Sequence, residues 1–325
     1  MTINDFNNVF FIGIAGAGMS AIAQYLQGTG KKVSGSDRYF TPETPNETRD
    51  KLEAEGIQCF MQDGSGITTA TDLVVVSTAI EDTVFEVKKA GELNIPILKR
   101  SQVLALISES KKTIAVGGTS GKSTTSAMIF DIMQHAGLEP SIISGAGLTS
   151  IIREGKIGNA KVGKGDWLVI EADESDGSIV QYHPEIGLLL NVEKDHQEID
   201  ELMQIFSTFR DNTKDIFITN RSNSLAAGIS RDVKNDFSVD ENSTAGFQAL
   251  NFSQHGFEIS FTVNDVPVKL NTVGKHNMEN ALAAIAVASR VGVSLQTAAE
   301  ALAKYEGIYR RHQIIGEKDG VVVVD

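Results

Sequence analysis

The stretch that most constrains this chain is Thr113 to Ser126, TIAVGGTSGKSTTS. Ile114, Ala115, Val116 and Gly117 form a short apolar run of the kind that makes a buried strand. The polar, glycine-rich Gly118-Thr119-Ser120-Gly121-Lys122-Ser123 follows at once, and Thr124 to His135 is helix-prone. A strand, a phosphate-sized loop and a helix N-terminus therefore come in order. Glycines let backbone N–H groups turn toward an anion, and the free N–H groups of a first helical turn add partial positive charge. Lys122 would supply a point charge to outer phosphates, and the Ser123 hydroxyl would help hold Mg²⁺. The full pattern G-x-x-x-x-G-K-S/T asks for a first glycine where Val116 stands, so the match is to a shorter G-x-x-G-K-S variant. Its competitor is a glycine-rich turn with a solvated lysine.

Upstream, the apolar run Val9 to Ile14 opens into Gly13-Ile14-Ala15-Gly16-Ala17-Gly18-Met19-Ser20 before an amphipathic helix ending near Gly28. This is a Rossmann-like first βα turn, with Ala15 where the dinucleotide fingerprint expects its second glycine. The next strand, from Lys32, ends in Asp37, where an acidic residue meets a ribose or another polar nucleotide group. On these residues alone a nicotinamide dinucleotide and a UDP-sugar both fit. Helix Glu47 to Glu55, strand Asp72 to Ser77, helix Val84 to Leu93 and strand Ile95 to Leu98 continue the alternation, which predicts a parallel sheet with its crevice at the strand carboxyl ends. Ser77-Thr78-Ala79-Ile80 falls at such an end, as a ligand contact or as a helix cap.

Composition narrows the partners. With 29 basic and 42 acidic residues the formal charge is −13, which argues against nucleic acid and anionic membrane surfaces as general partners. The single cysteine, Cys59, excludes an intrachain disulfide framework. No basic segment precedes the first apolar run and no apolar stretch reaches membrane-spanning length, so a cytoplasmic location is expected.

Beyond the phosphate loop, strand Trp167 to Ile170 runs into Glu171-Ala172-Asp173-Glu174-Ser175-Asp176. Carboxylates so close repel unless a cation or solvent relieves them; a Mg²⁺ on nucleotide phosphates would do so, and a solvated acidic loop is the alternative. Strand Ile186 to Leu190 then ends in Asn191-Val192-Glu193-Lys194-Asp195-His196. Three successive strands thus deliver a phosphate loop, an acidic cluster and an Asp-His pair, a combination that describes a Mg-nucleotide site for phosphoryl chemistry. Phe257 to Val263 alternates with period two and Val266 to Leu270 returns after Asn264-Asp265, predicting an antiparallel hairpin on the sheet edge. Asn277 and Asn280 precede the buried, alanine-rich helix Ala281 to Ser289, as caps or as groups facing a base or phosphate. Tyr309-Arg310-Arg311-His312 offers a phosphate clamp.

With these pieces in order the sequence resembles the Mur ligases, ATP-dependent amide-bond enzymes of peptidoglycan synthesis. The matching segments are Gly13 to Ser20 with Gly35-Ser36-Asp37, Gly118 to Thr125, Glu171 to Asp176, Asn191 to His196, Gly274 to Asn280 and Arg310-Arg311. The resemblance implies an α/β protein: a Rossmann-like UDP-sugar-binding domain over 1–110, a P-loop-type ATPase domain with an antiparallel edge hairpin over 111–307, and a stub of a C-terminal domain over 308–325. The chain stops in the strand Val321 to Val324, so most of that last domain is expected to be missing, and the chain to bind its ligands without ligating. By the resemblance Lys122, Glu171 and His196 are catalytic, and Ser123, Glu171 and His196 hold Mg²⁺. ATP is held by Gly118, Thr119, Ser120, Gly121, Lys122, Ser123, Thr124, Asn277, Asn280 and Arg311. The UDP portion of the substrate meets Gly16, Ala17, Gly18, Met19, Ser20, Asp37, Ser77, Thr78 and Ala79. The implied reaction joins L-alanine to the lactyl carboxylate of UDP-N-acetylmuramate through an acyl phosphate. A family member that attaches a recycled peptide instead, and in another class a nicotinamide-dependent oxidoreductase, are the alternatives. Ser120, Ser123 and His312 depart from the residues commonest in the family.

Overall fold

The computed structural model describes residues 1–77, 80–81, 83–194 and 198–310, and the backbone of 314–318 and 321–324. By its internal contacts the chain divides into two units, Met1–Ser110 with Ile143–Val162, and Lys111–Ile142 with Gly163–Asp325.

In the first unit, β1 (Asn8–Ile12), β2 (Lys32–Asp37), β3 (Gln58–Met61), β4 (Leu73–Val76) and β5 (Ile97–Lys99) lie in the order β3-β2-β1-β4-β5, every neighbouring pair parallel. Helices α1 (Ala17–Gly28), α2 (Glu47–Ala54) and α3 (Phe85–Glu92) lie in the crossovers, and α4 (Arg100–Glu109) follows β5. Strand order reverses at β1, and the glycine loop leaves its carboxyl end, where open α/β sheets bind ligands. Phe10, Ile12, Ile67, Val74 and Ala90 pack one core, fully buried. The sequence pattern gave no sign of β3. It is a short edge strand whose residues are all at least partly exposed, so it lacks the apolar run that announces a central strand.

The second unit begins with β6 (Lys112–Gly117), α5 (Lys122–His135) and β7 (Ser141–Ile143). After the Ile143–Val162 segment, which carries α6 (Thr149–Ile152) and β8 (Ala160–Lys161), come β9 (Trp167–Glu171), β10 (Ile186–Leu189), α7 (Ile199–Asn212), β11 (Ile216–Thr219) and the short α8 (Ser224–Ala227). The sheet runs β11-β10-β6-β9-β7, with β6 parallel to β9 and β10 on either side. Strand β6 is again where the order reverses, and it is buried from Thr113 to Gly117.

A further sheet of order β12-β13-β14-β15 follows, from β12 (Phe237–Ser238), β13 (Phe247–His255), β14 (Glu258–Val263) and β15 (Val266–Leu270). The expected hairpin is there, with Asn264 and Asp265 both at positive φ as its two-residue turn requires. It sits in this separate sheet, which meets the edge after β11 through one parallel bridge from Phe237 to Asn220. Helix α9 (Lys275–Arg290) is buried along most of its length and packs on α5; α10 (Leu295–Leu302) and the antiparallel pair β16 (Ile314–Lys318) and β17 (Val321–Val324) complete the described chain.

Candidate active site

The phosphate loop has the predicted form. Strand β6 ends at Gly117, Gly118 and Gly121 have φ of +135° and +84°, and α5 starts at Lys122. Both glycines are needed twice over. A Cβ on Gly118 would meet Leu190 and the backbone of Asn191 at 3.0–3.3 Å, and one on Gly121 would lie 2.6 Å from Asn280 Oδ1. Positive φ and close neighbours exclude larger residues, so the loop backbone stays bare toward its concave side.

Lys122 points back over this loop. Its Nζ donates to the Gly118 carbonyl at 2.8 Å and to Glu174 Oε2 at 2.7 Å, with side-chain exposures of 17% for the lysine and 7% for the glutamate. Ser123 Oγ donates to Glu171 Oε2 at 2.9 Å. The acidic cluster after β9 is therefore not a solvated loop: two of its carboxylates engage the two residues that open α5. From β10, Asn191 Oδ1 accepts the Thr119 hydroxyl and the Ser120 N–H, both at 2.9 Å, and the Thr119 hydroxyl accepts the Glu193 N–H at 3.2 Å. Three adjacent strands thus hold one loop. The sequence marked Glu174 and Asn191 only as members of longer runs; the signal for both was their place at the ends of strands flanking β6.

Asn277 and Asn280 are not caps, because α9 starts after Gly274 and both lie within its first two turns. Asn277 Nδ2 donates to Thr272 Oγ1 and the Val273 carbonyl at 2.8 Å. Asn280 Nδ2 donates to Asn277 Oδ1, and its Oδ1 accepts the Thr125 hydroxyl, each at 3.3 Å. The pair therefore abuts the phosphate loop through Gly121 and Thr125. Between them in the chain, Glu279 accepts from Asn220 at 3.2 Å; burial raises its pKa, and nearby Asp240 and Glu193 push the same way.

Ser123 and Glu171 bring a hydroxyl and a carboxylate together, and such hard oxygen donors suit Mg²⁺. Among the described residues no three His, Cys, Asp or Glu side chains form a ready cage. Thr78, Ala79, His196 and Arg311, all expected at the sites, lie outside the described residues.

In the first unit the glycine loop is tied down by β2. The Ser36 carbonyl accepts the Gly13 and Ile14 N–H groups at 2.8 and 3.0 Å. Asp37, buried, accepts the Ala15 N–H at 3.0 Å and the Tyr39 N–H at 3.1 Å. Asp37 thus shapes the loop that Gly16 to Ser20 continue. From the Ile143–Val162 segment, buried Asn159 donates to the Ala17 carbonyl at 2.7 Å and to Ser20 Oγ at 3.0 Å and accepts from Gln24 at 2.7 Å. Under β2, Ser36 Oγ donates to the fully buried Glu86 at 2.8 Å, and burial raises the Glu86 pKa. Ser77 stands half-buried at the end of β4, its carbonyl accepting the Ile80 N–H.

A phosphate loop flanked by carboxylates, following a glycine-loop unit of Rossmann type, defines a nucleotide-using enzyme of two α/β units. Residues 8–112 match the model of the Mur ligase family, catalytic domain, and residues 116–288 that of the Mur ligase middle domain; the chain belongs to the Mur ligase family. It is 37% identical to the UDP-N-acetylmuramate–L-alanine ligase of Syntrophomonas wolfei, over 98% of this chain and 70% of that protein. The crystal structure of UDP-N-acetylmuramate-alanine ligase MurC from Thermotoga maritima superposes with a TM-score of 0.84 at 28% identity, over 98% of this chain and 73% of that one. A UDP-N-acetylmuramate:L-alanyl-gamma-D-glutamyl-meso-diaminopimelate ligase from Neisseria meningitides superposes with 0.78 at 25% identity, over 94% and 100%. Among the described residues no helix is long and apolar enough to cross a membrane.

Proposed function

We propose that this chain carries the sugar-nucleotide and ATP sites of a ligase that joins L-alanine to the lactyl carboxylate of UDP-N-acetylmuramate, a cytoplasmic step of peptidoglycan precursor synthesis. The observation that carries the reading is the convergence of the loop after β6 with the ends of β9 and β10, in a chain whose relatives are named for this substrate. A carboxylate is a poor electrophile until one oxygen becomes a leaving group. Transfer of the γ-phosphoryl of ATP to the lactyl carboxylate forms an acyl phosphate; attack of the alanine amine on the acyl carbon then expels inorganic phosphate. No side-chain nucleophile is required.

The loop Gly118 to Thr124 orients the phosphates through its backbone N–H groups, and Lys122 neutralises charge on the transferred group. Ser123 and Glu171, with His196, would hold Mg²⁺, which when bound offsets phosphate charge. Asn277, Asn280 and Arg311 complete the nucleotide site. Gly16 to Ser20, Asp37 and Ser77 to Ala79 take the UDP portion. The domains in this reading are 1–110, 111–307 and 308–325. The nicotinamide alternative has no use for Lys122, Ser123 or Glu171 and is set aside by the family match.

Equilibrium titration with MgATP, AMP and adenosine tests the nucleotide site: MgATP is expected to bind far more tightly than AMP, because the loop reads the outer phosphates. Equal affinities would overturn it. A second reading, in which the amine is a peptide, has the Neisseria neighbour in its favour. In a protein that joins this chain to the remaining length its relatives have, ligation of L-alanine and not of L-alanyl-γ-D-glutamyl-meso-diaminopimelate decides for the first reading, and the reverse for the second.

A further inference from the structure

The reaction described above uses Lys122, Ser123 and Glu171 and leaves Glu174 without a task, although Glu174 is the more deeply buried end of the ion pair with the lysine. The turn that carries it is built from its own residues. The Glu174 carbonyl accepts the Gly177 N–H at 3.0 Å, and the Asp173 carbonyl accepts the Ile179 N–H at 3.1 Å. Asp173 Oδ1 accepts the N–H and the hydroxyl of Ser175 at 3.0 and 2.8 Å, and Asp176 Oδ1 accepts the Ser178 N–H at 2.9 Å. Those two carboxylates serve the turn that holds them. Glu174 reaches instead across to the phosphate loop, and none of these turn bonds uses its carboxylate, so its side chain can rotate away while the turn stays formed.

Lys122 is set for an anion before one arrives. Its bond to the Gly118 carbonyl holds the ammonium over the loop, and its bond to Glu174 gives that ammonium an oxyanion at the distance of a charge-assisted bond. A largely buried ammonium is costly without such a partner. A phosphate oxygen on the same nitrogen would meet the carboxylate as a like charge a few ångströms away, where water screens little. We propose that Glu174 is a positioning residue that stands in for phosphate at Lys122: it holds the ammonium over the empty loop and is displaced from it by the outer phosphates of ATP. The inference rests on the nucleotide reading above and adds the group that sets the affinity. The exchange run in reverse returns the lysine to Glu174 as the spent nucleotide leaves, so the loop keeps one form through the cycle.

The test is calorimetric titration of the 325-residue chain and of its E174Q, E174D, K122M and K122M/E174Q variants with MgATP and AMP. E174Q trades a charge-assisted bond to the lysine for a neutral one of the same shape. MgATP is therefore expected to bind about 5- to 30-fold more tightly, and AMP, which lacks the outer phosphates, to bind as in the parent. In the K122M background the same substitution should change MgATP affinity less than about 2-fold, because Glu174 acts through the lysine. E174D keeps the charge but draws it back by one methylene; it should also bind MgATP more tightly than the parent, and it carries the test if E174Q does not fold. Without nucleotide, E174Q should melt at a lower temperature than the parent, so stability and MgATP affinity move in opposite directions. Unchanged or weaker MgATP binding in the folded Glu174 variants overturns the inference, since a group that only supports the loop, or that itself ligates the metal, gives that result. An equal gain with and without Lys122 overturns it as well. Failure of the parent chain to bind MgATP would instead sink the nucleotide reading itself.

Discussion

Replacing Lys122 by methionine separates two roles of one side chain. The lysine meets Glu174 at 2.7 Å with 17% and 7% of the two side chains exposed. Breaking a fully buried pair costs about 3–5 kcal/mol. The remaining exposure, and the further contacts of Glu174, bring the expectation to ~2 kcal/mol, or a Tm lower by ~4–8 °C. The double variant K122M/E174Q no longer buries a carboxylate that has lost its lysine and should regain all but ~1 kcal/mol of that loss. Nucleotide binding should behave differently. Loss of a charge-assisted bond to phosphate weakens MgATP by about 10- to 150-fold, and the second substitution does not restore it. Thermal denaturation and MgATP titration on the parent, both single variants and the double variant complete the cycle. Additive stability effects would refute the ion pair, and unchanged MgATP affinity in K122M would refute its role with phosphate.

Three further outcomes follow from the geometry. G121A places a Cβ at positive φ and 2.6 Å from Asn280 Oδ1, so it should lower stability by about 1–3 kcal/mol and impair MgATP binding, read by denaturation and titration. Burial raises the pKa of Glu86, so the stability linked to it is fully present below the ordinary glutamate range and is lost as pH rises through the folded value. Urea denaturation at about pH 5 and about pH 8 should therefore show the parent losing stability relative to E86Q on going to the higher pH, and a parallel change in both would contradict it. The Cys59 thiol is pushed up to about 12, chiefly by burial, so iodoacetamide at about pH 8 should leave it unmodified in the folded chain and alkylate it once the chain is unfolded.

What the sequence revealed depended on how local the signal was. Strands β1, β6, β9 and β10 are apolar runs ending in polar or glycine-rich loops, and the loop before Lys122 could be read directly because strand, glycines and helix are contiguous. The acidic run after β9 was visible as a cluster, but which carboxylate meets which partner was not. That Glu174 pairs with Lys122, and Glu171 with Ser123, depends on β9 lying beside β6 in the sheet. Asn191 reaches Thr119 and Ser120 through the pairing of β10 with β6 on the other side, and that is equally non-local. Asp37 was legible as a carboxylate at a strand end, but that it accepts the N–H groups of Ala15 and Tyr39 was not, because those partners are set by the loop after β1 and the turn after β2. Asn159 escaped notice because no periodicity marks a single residue whose partners are distant in the chain.

The most direct measurement is a calorimetric titration of this chain with UDP-N-acetylmuramate, with NAD as the control. Saturable binding of the sugar nucleotide and no binding of NAD is the expected result. Binding of NAD in place of the sugar nucleotide would contradict the assignment of the first unit and, with it, the ligase reading of the site.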